Sequence, residues 1–166
     1  MHRQLVSSAL ALMITHEAST GKMRQKPNFE ADLPKLLFVC HGNTCRSVMA
    51  AALARRRFGN TVTVSSAGLH PQKVSDAKMA IQTLKMCFGI DASSHIPKAV
   101  TDLQLDNFDY VVAVDKSIAK RLSAVPLERL IVWNIPDPWG DDLLEYRSAA
   151  FRINQEVSKL ATVLKK

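Results

Sequence analysis

From Lys35 onward the apolar positions alternate between short unbroken runs and helical stripes. Leu36, Leu37, Phe38 and Val39 form one such run, as expected of a strand buried on both faces. Val48, Met49, Ala52 and Leu53 then recur at helical spacing, the pattern runs on to Phe58, and Gly59-Asn60 supplies a stop. Thr61 to Ser66 is β-branched and alternating, which predicts a second strand. Ala77, Ile81, Leu84 and Phe88 mark one face of another helix, with Ser75 or Asp76 as its cap and Gly89 as its end. Tyr110 to Val114 predicts a third strand, Ile118 to Leu122 a short helix, and Leu130 to Ile135 a fourth strand. Beyond Pro136, the stripe Tyr146, Ala150, Ile153, Val157, Leu160 and Leu164 predicts a long amphipathic C-terminal helix.

Strands that alternate with helices predict an α/β fold: a small, doubly wound, four-stranded parallel sheet with helices on both faces. Each parallel connection needs a crossover, and crossovers are usually helical. Ligands of such sheets bind beyond the C-terminal ends of the strands, where loops lead into helix N-termini. The loop after Val39 is therefore the first place to look for chemistry.

Residues 1–34 differ in character, with a short apolar run from Leu5 to Ile14 and then a polar stretch through His16, Lys22, Arg24, Lys26 and Pro27. They are expected to be a loosely held N-terminal extension to one domain over 35–166, with Met23 as a second candidate start. Arg3 before the apolar run resembles part of a signal peptide, but no small-x-small site succeeds it. No apolar run approaches the roughly 18 residues that a membrane span requires, so no integral membrane segment is expected.

The chain has 166 residues, 47% of them hydrophobic, and a net charge of +7. That balance suits an anionic partner and leaves its kind open. The tail carries +1 of this charge, so the rest belongs to the domain. Arg55, Arg56 and Arg57 fan out by about 100° each around their helix, so no nucleic-acid face is built and no nucleic-acid partner is expected. Three cysteines are too few for a secreted disulfide framework, which predicts a cytoplasmic protein with thiol chemistry.

The first strand leads into Cys40-His41-Gly42-Asn43-Thr44-Cys45-Arg46-Ser47. With a single glycine and no lysine, this is neither the nucleotide P-loop nor the dinucleotide fingerprint. It offers a thiol and a guanidinium six positions apart. A loop of this length can wrap successive N–H groups round a tetrahedral oxyanion, and the helix beyond it adds its positive end. Such surroundings lower a thiol pKa from about 8.5 to roughly 3.5–7.5, which would make Cys40 a nucleophile. Arg46 can hold two phosphate oxygens in one planar fork. Ser47 can donate its hydroxyl to the sulfur, and Asn43 tolerates left-handed backbone. The plainer alternatives are a buried strand-end thiol at Cys40 and a zinc site from Cys40, His41 and Cys45; the latter lacks a second ligand pair, so neither metal nor cofactor is expected.

The segment V-C-x-G-N-x-C-R-S after a first strand resembles the low-molecular-weight protein tyrosine phosphatase family, over about residues 35–166. The resemblance implies a phosphatase-like catalytic domain in which Cys40 attacks phosphorus to form a phosphocysteine and Arg46 holds the transferring group. Its substrate would be a phosphotyrosine protein or small aryl phosphate, and oxyanions such as phosphate would inhibit it. His41, Gly42, Asn43, Thr44 and Cys45 would complete the phosphate-binding loop, and Cys45 is the family's second loop cysteine, able to form a reversible disulfide with the nucleophile.

In Asp137-Pro138-Trp139-Gly140, the resemblance makes Asp137 the general acid and Trp139 a wall against the substrate ring. A positioned acid is worth about 10² to 10⁴ in rate, although an Asp-Pro pair by itself is an ordinary turn. Ser47, Ser66 and His95 match the family's support around Asn43. Three departures stand out: Val48 replaces a proline, Ala51 replaces a glutamate, and one aromatic precedes Gly140 where two are usual. Arsenate reductases that use glutaredoxin or thioredoxin share the loop and are an alternative. The thioredoxin-linked type needs later cysteines, whereas Cys87 is the last here and packs beside an apolar stripe, and Val114-Asp115-Lys116-Ser117 fits the phosphatase pattern. A weakly active phosphoprotein-binding module is the third reading.

Overall fold

A computed structural model describes residues 33–164. The extension expected over 1–34 lies outside the described residues apart from Leu33 and Pro34. The elements in order are β1 (Lys35–Cys40), α1 (Arg46–Phe58), β2 (Thr63–Gly68), α2 (Lys78–Phe88), β3 (Tyr110–Ala113), α3 (Lys116–Arg121), β4 (Leu130–Val132) and α4 (Leu143–Val163). All pairings are parallel and the strand order is β2-β1-β3-β4.

Alternate residues of the central strands feed two cores. Leu36, Phe38 and Val112 face α1 and α4, meeting Met49, Leu53, Ile153 and Val157. Leu37, Val39, Val111 and Ala113 face the other way, toward Ile118 of α3 and Leu122 just after it. Helices therefore cover both faces, α3 alone on its side together with short 3-10 turns. Phe38 is fully buried with its ring 5.4 Å from that of Trp133, and burying a side chain of this size contributes about 1.5–3 kcal/mol.

The chain leaves β1 for one face through α1 and leaves β3 for the other through α3. The loops after β1 and β3 diverge, opening a crevice above the C-terminal ends of these neighbours, as at the switch point of doubly wound sheets.

Several boundaries differ from the sequence pattern. β2 begins at Thr63 and runs to Gly68, because its register is set by β1 from Lys35↔Thr63 to Cys40↔Gly68, while Gly59–Thr61 turns as a 3-10 segment. β4 stops pairing as a strand at Val132, although the N–H groups of Trp133 and Ile135 still reach the carbonyls of Ala113 and Val114. Neither Ser75 nor Asp76 caps α2. Both lie in a 3-10 turn, Val74–Ala77, that runs straight into the helix, and Asp76 instead accepts from Lys73 N–H at 3.2 Å. The capping carboxylate thus acts one turn earlier than the apolar stripe suggests.

Candidate active site

Residues 41–45 carry the chain from β1 into α1. The turn holds Asn43 at φ 52°, a left-handed conformation that asparagine accepts more readily than most residues. Its backbone N–H then lies 3.3 Å from Cys40 Sγ, as donor. Gly68 at the end of β2 lets this loop rest on the sheet edge: a Cβ there would come within 2.7 Å of Asn43 N and 2.8 Å of His41 O.

The side chain of Asn43 ties three segments together. Its Nδ2 donates to Ser47 Oγ at 2.9 Å and Ser66 Oγ at 3.1 Å, while Oδ1 accepts from Lys98 N–H at 3.0 Å. Its carbonyl accepts from His95 Nε2 at 2.7 Å, which requires the ring proton on that nitrogen. Burial, assisted by the charges of Arg55 and Lys98, holds the His95 imidazole below its ordinary pKa and favours this neutral donor. Ser47 Oγ accepts from Asn43 Nδ2 and lies 2.9 Å from Cys40 Sγ, so its hydroxyl can donate to the sulfur once the thiol has lost its proton. The Asn43 N–H and the Ser47 hydroxyl thus both meet the sulfur.

Arg46 opens α1 and is almost wholly buried. Its Nη1 donates to Asp115 Oδ2 at 2.6 Å and to the Ile135 carbonyl at 3.1 Å, and Nη2 donates to Asp137 Oδ2 at 2.5 Å. Its Nε is buried with no partner among the described residues. A buried cationic N–H without an acceptor is costly, and an anion resting beside it would remove that cost.

Cys40, Arg46, Asp137 and Trp139 line one cavity of about 290 Å³, together with His41, Gly42, Thr44 and Cys45 from the loop. Trp139 stands at its mouth, 52% exposed. The cavity can seat a tetrahedral oxyanion between a sulfur, a guanidinium and a carboxyl group, with a flat aromatic wall above.

Residues 35–166 match the family described as low molecular weight phosphotyrosine protein phosphatase. The chain belongs to that family. Its phosphatase-like hydrolase fold is shared with the low molecular weight protein tyrosine phosphatase from T. tengcongensis, which is 28% identical with a TM-score of 0.70 over 78% of this chain and 98% of that one. The glutaredoxin arsenate reductase of Synechocystis sp. is 26% identical over 129 residues, 77% of this chain and 96% of that protein. A protein-arginine-phosphatase of Geobacillus stearothermophilus is 29% identical over 141 residues, 78% of this chain and 95% of that protein.

Within this low molecular weight phosphatase chain, four contributors escape a reading of the sequence. Asp115 stands out in the sequence only as part of a pattern, yet it orients Arg46 and caps α3 by accepting from Ser117 N–H at 2.7 Å and Ile118 N–H at 2.9 Å. Burial works to raise its pKa, but the bonds from Ser117 and Ile118 and the Arg46 charge hold it below the usual carboxylate range. Gln72 closes the cavity from the loop after β2, and the Lys98 N–H fixes the Asn43 amide. Tyr146 of α4 is buried in the same core cluster as Cys45; burial pushes both groups' pKa values up, helped at Cys45 by the charges of Cys40 and Asp137. A polar residue directly after a parallel strand is the signal that Asp115 offers. The other three have none.

Proposed function

We propose that this chain hydrolyses phosphotyrosine or similar aryl phosphates through a phosphocysteine on Cys40. The sulfur attacks phosphorus and the aryl oxygen departs with the proton of Asp137. The Asp137 carboxylate then takes a proton from water, whose oxygen attacks phosphorus, releasing phosphate and freeing the sulfur. Arg46 and the N–H groups of residues 41–45 bind the phosphoryl oxygens, and Trp139 lies along the leaving ring. Ser47 and Asn43 donate to the sulfur while it carries negative charge. The observation that carries this reading is the meeting of the Asn43 N–H and the Ser47 hydroxyl on Cys40 Sγ, in the same small cavity as Arg46 and Asp137.

The test is rapid-mixing turnover of p-nitrophenyl phosphate. A burst of p-nitrophenol with phosphate trapped on Cys40 is expected in the wild type and none in Cys40→Ser; equal rates in the two would end the proposal.

A reductase reading draws on the relatives named as arsenate reductases. Such chemistry needs another thiol to attack the arsenic-bound sulfur, so that a disulfide forms and the S–As bonding pair stays on arsenic, which leaves as arsenite. Cys87 is far from the site: Arg56, in the last turn of α1, donates to the carbonyl of Phe88, and Arg56 is about 15 Å along the helix from Arg46. The reading is thereby narrowed to Cys45 or an external thiol such as glutaredoxin. Comparing arsenate, phosphotyrosine and phosphoarginine side by side separates the three activities named among the relatives.

A further inference from the structure

A groove of about 830 Å³ runs along the outer side of β2, between α1 and segment 90–98. Its floor is apolar, with Val48, Ala52 and Ile90, and its rim is cationic. Arg55 and Arg56 stand on one wall and His95 and Lys98 on the other. Asp91 is the one carboxylate in the lining, and it already accepts from Ser93 N–H at 2.9 Å. Neither arginine forms an ion pair among the described residues. Each is anchored by a backbone carbonyl instead, Arg55 by that of Val64 at 2.9 Å and Arg56 by that of Phe88. A guanidinium has five N–H donors, so anchoring by one bond leaves a fork to bind an anion. Positive groups gathered round a concavity with apolar walls concentrate the field there. Ile96, 70% exposed, stands at the same rim, an apolar side chain beside cationic ones.

We propose that this groove is a second anion site, built for an organic phosphate of about nucleotide size. The phosphoryl oxygens lie on Arg55, Arg56 and Lys98, and the planar or apolar body lies on Val48, Ala52 and Ile90. The volume falls within the range of small-molecule sites, about 300–1,000 Å³. The two walls meet the active site through Asn43: His95 donates to its carbonyl, Lys98 N–H to its Oδ1, and Ser66 Oγ accepts from its Nδ2. Asn43 in turn donates to Cys40 Sγ. An occupant of the groove therefore acts on the sulfur through one residue, and by reciprocity a cradle filled with phosphate alters the groove's affinity. That coupling rests on the phosphatase reading above; the binding itself does not.

The probe is ADP, titrated calorimetrically into the full chain, with inorganic pyrophosphate as the arm that lacks the body. ADP is expected to bind the wild type and Arg46→Ala alike, and at least tenfold more weakly to the Arg55→Gln/Arg56→Gln variant. Lys98→Gln, which keeps the backbone bond to Asn43, is expected to weaken ADP as well, so the test stands if the double variant misfolds. His95 should titrate at higher pH with ADP bound, as a neighbouring anion requires. Loss of binding in Arg46→Ala with retention in both groove variants would assign ADP to the Cys40 cradle and overturn the proposal. So would absence of binding to the wild type. Pyrophosphate binding as tightly as ADP would remove the role given to the apolar floor.

Discussion

Arg46 Nη2 donates to Asp137 Oδ2 at 2.5 Å, so the group proposed to hold the phosphoryl oxygens and the group proposed to protonate the leaving oxygen share one hydrogen bond. In the proposed reaction a phosphoryl group entering the cavity would compete with Asp137 for Arg46, which would tie seating of the anion to release of the acid. Asp137→Ala should lower kcat about 10²-fold or more while leaving the affinity for inorganic phosphate equal or tighter. Phosphate that binds much more weakly in the variant would show Asp137 to be a support for the cradle instead of its competitor.

Gly68 is where sheet and loop touch most closely. A methyl group there meets the backbone of Asn43 and His41, atoms that cannot swing aside as a side chain would. Gly68→Ala should destabilise the protein by about 1–3 kcal/mol and reduce kcat/KM, measured by thermal melts and p-nitrophenyl phosphate turnover. Full activity at unchanged melting temperature would mean that the loop yields without strain.

His95 gives the stability a pH dependence of definite sign. Its pKa is lowered in the folded chain, so near and below the ordinary value of about 6.5 the unfolded chain binds more protons than the folded one. Its contribution is complete above about pH 6.5 and is lost as the pH falls through the depressed folded value. Melting temperature should therefore drop on acidification across this window, and His95→Gln, which retains an N–H donor, should flatten the profile there. Parallel profiles for the two proteins would refute it.

Asp115 serves Arg46 and the start of α3 with one carboxylate. Asp115→Asn keeps an N-cap acceptor but removes the charge, so at neutral pH it should lose the stability that the ionised carboxylate supplies, and kcat/KM should fall about tenfold. Asp115→Ala should cost a further 1 kcal/mol or about that through the lost cap. Because the folded pKa of Asp115 is depressed, its stabilisation is present above about pH 4 and fades as the pH falls through the depressed value; the gap between wild type and Asp115→Asn in acid melts reads this directly.

The legible part of the site sits at the ends of apolar runs. Cys40 and Asp137 come directly after strand patterns, and the run Leu36–Val39 needs no partner to be recognised as buried. The end of β2 is not legible, because Ala67-Gly68 carries no β-branched signal and is extended only through pairing with β1. Asp115 is hidden as a partner of Arg46 because its nearness depends on β1 and β3 lying side by side, although β2 intervenes in sequence. Tyr146 belongs by spacing to the apolar stripe of α4. That it packs in one cluster with Cys45 depends on how α4 lies over α1, which periodicity does not encode.

Every polar group of Asn43 has a partner, and those partners come from β1, α1, β2 and the stretch around residues 95–98. Such a keystone cannot be set before the arch beneath it, so the cradle should be the last part of the domain to assemble. On heating or in denaturant it should be the first to go: loosening residues 95–98 alone would silence the enzyme while the four strands still hold.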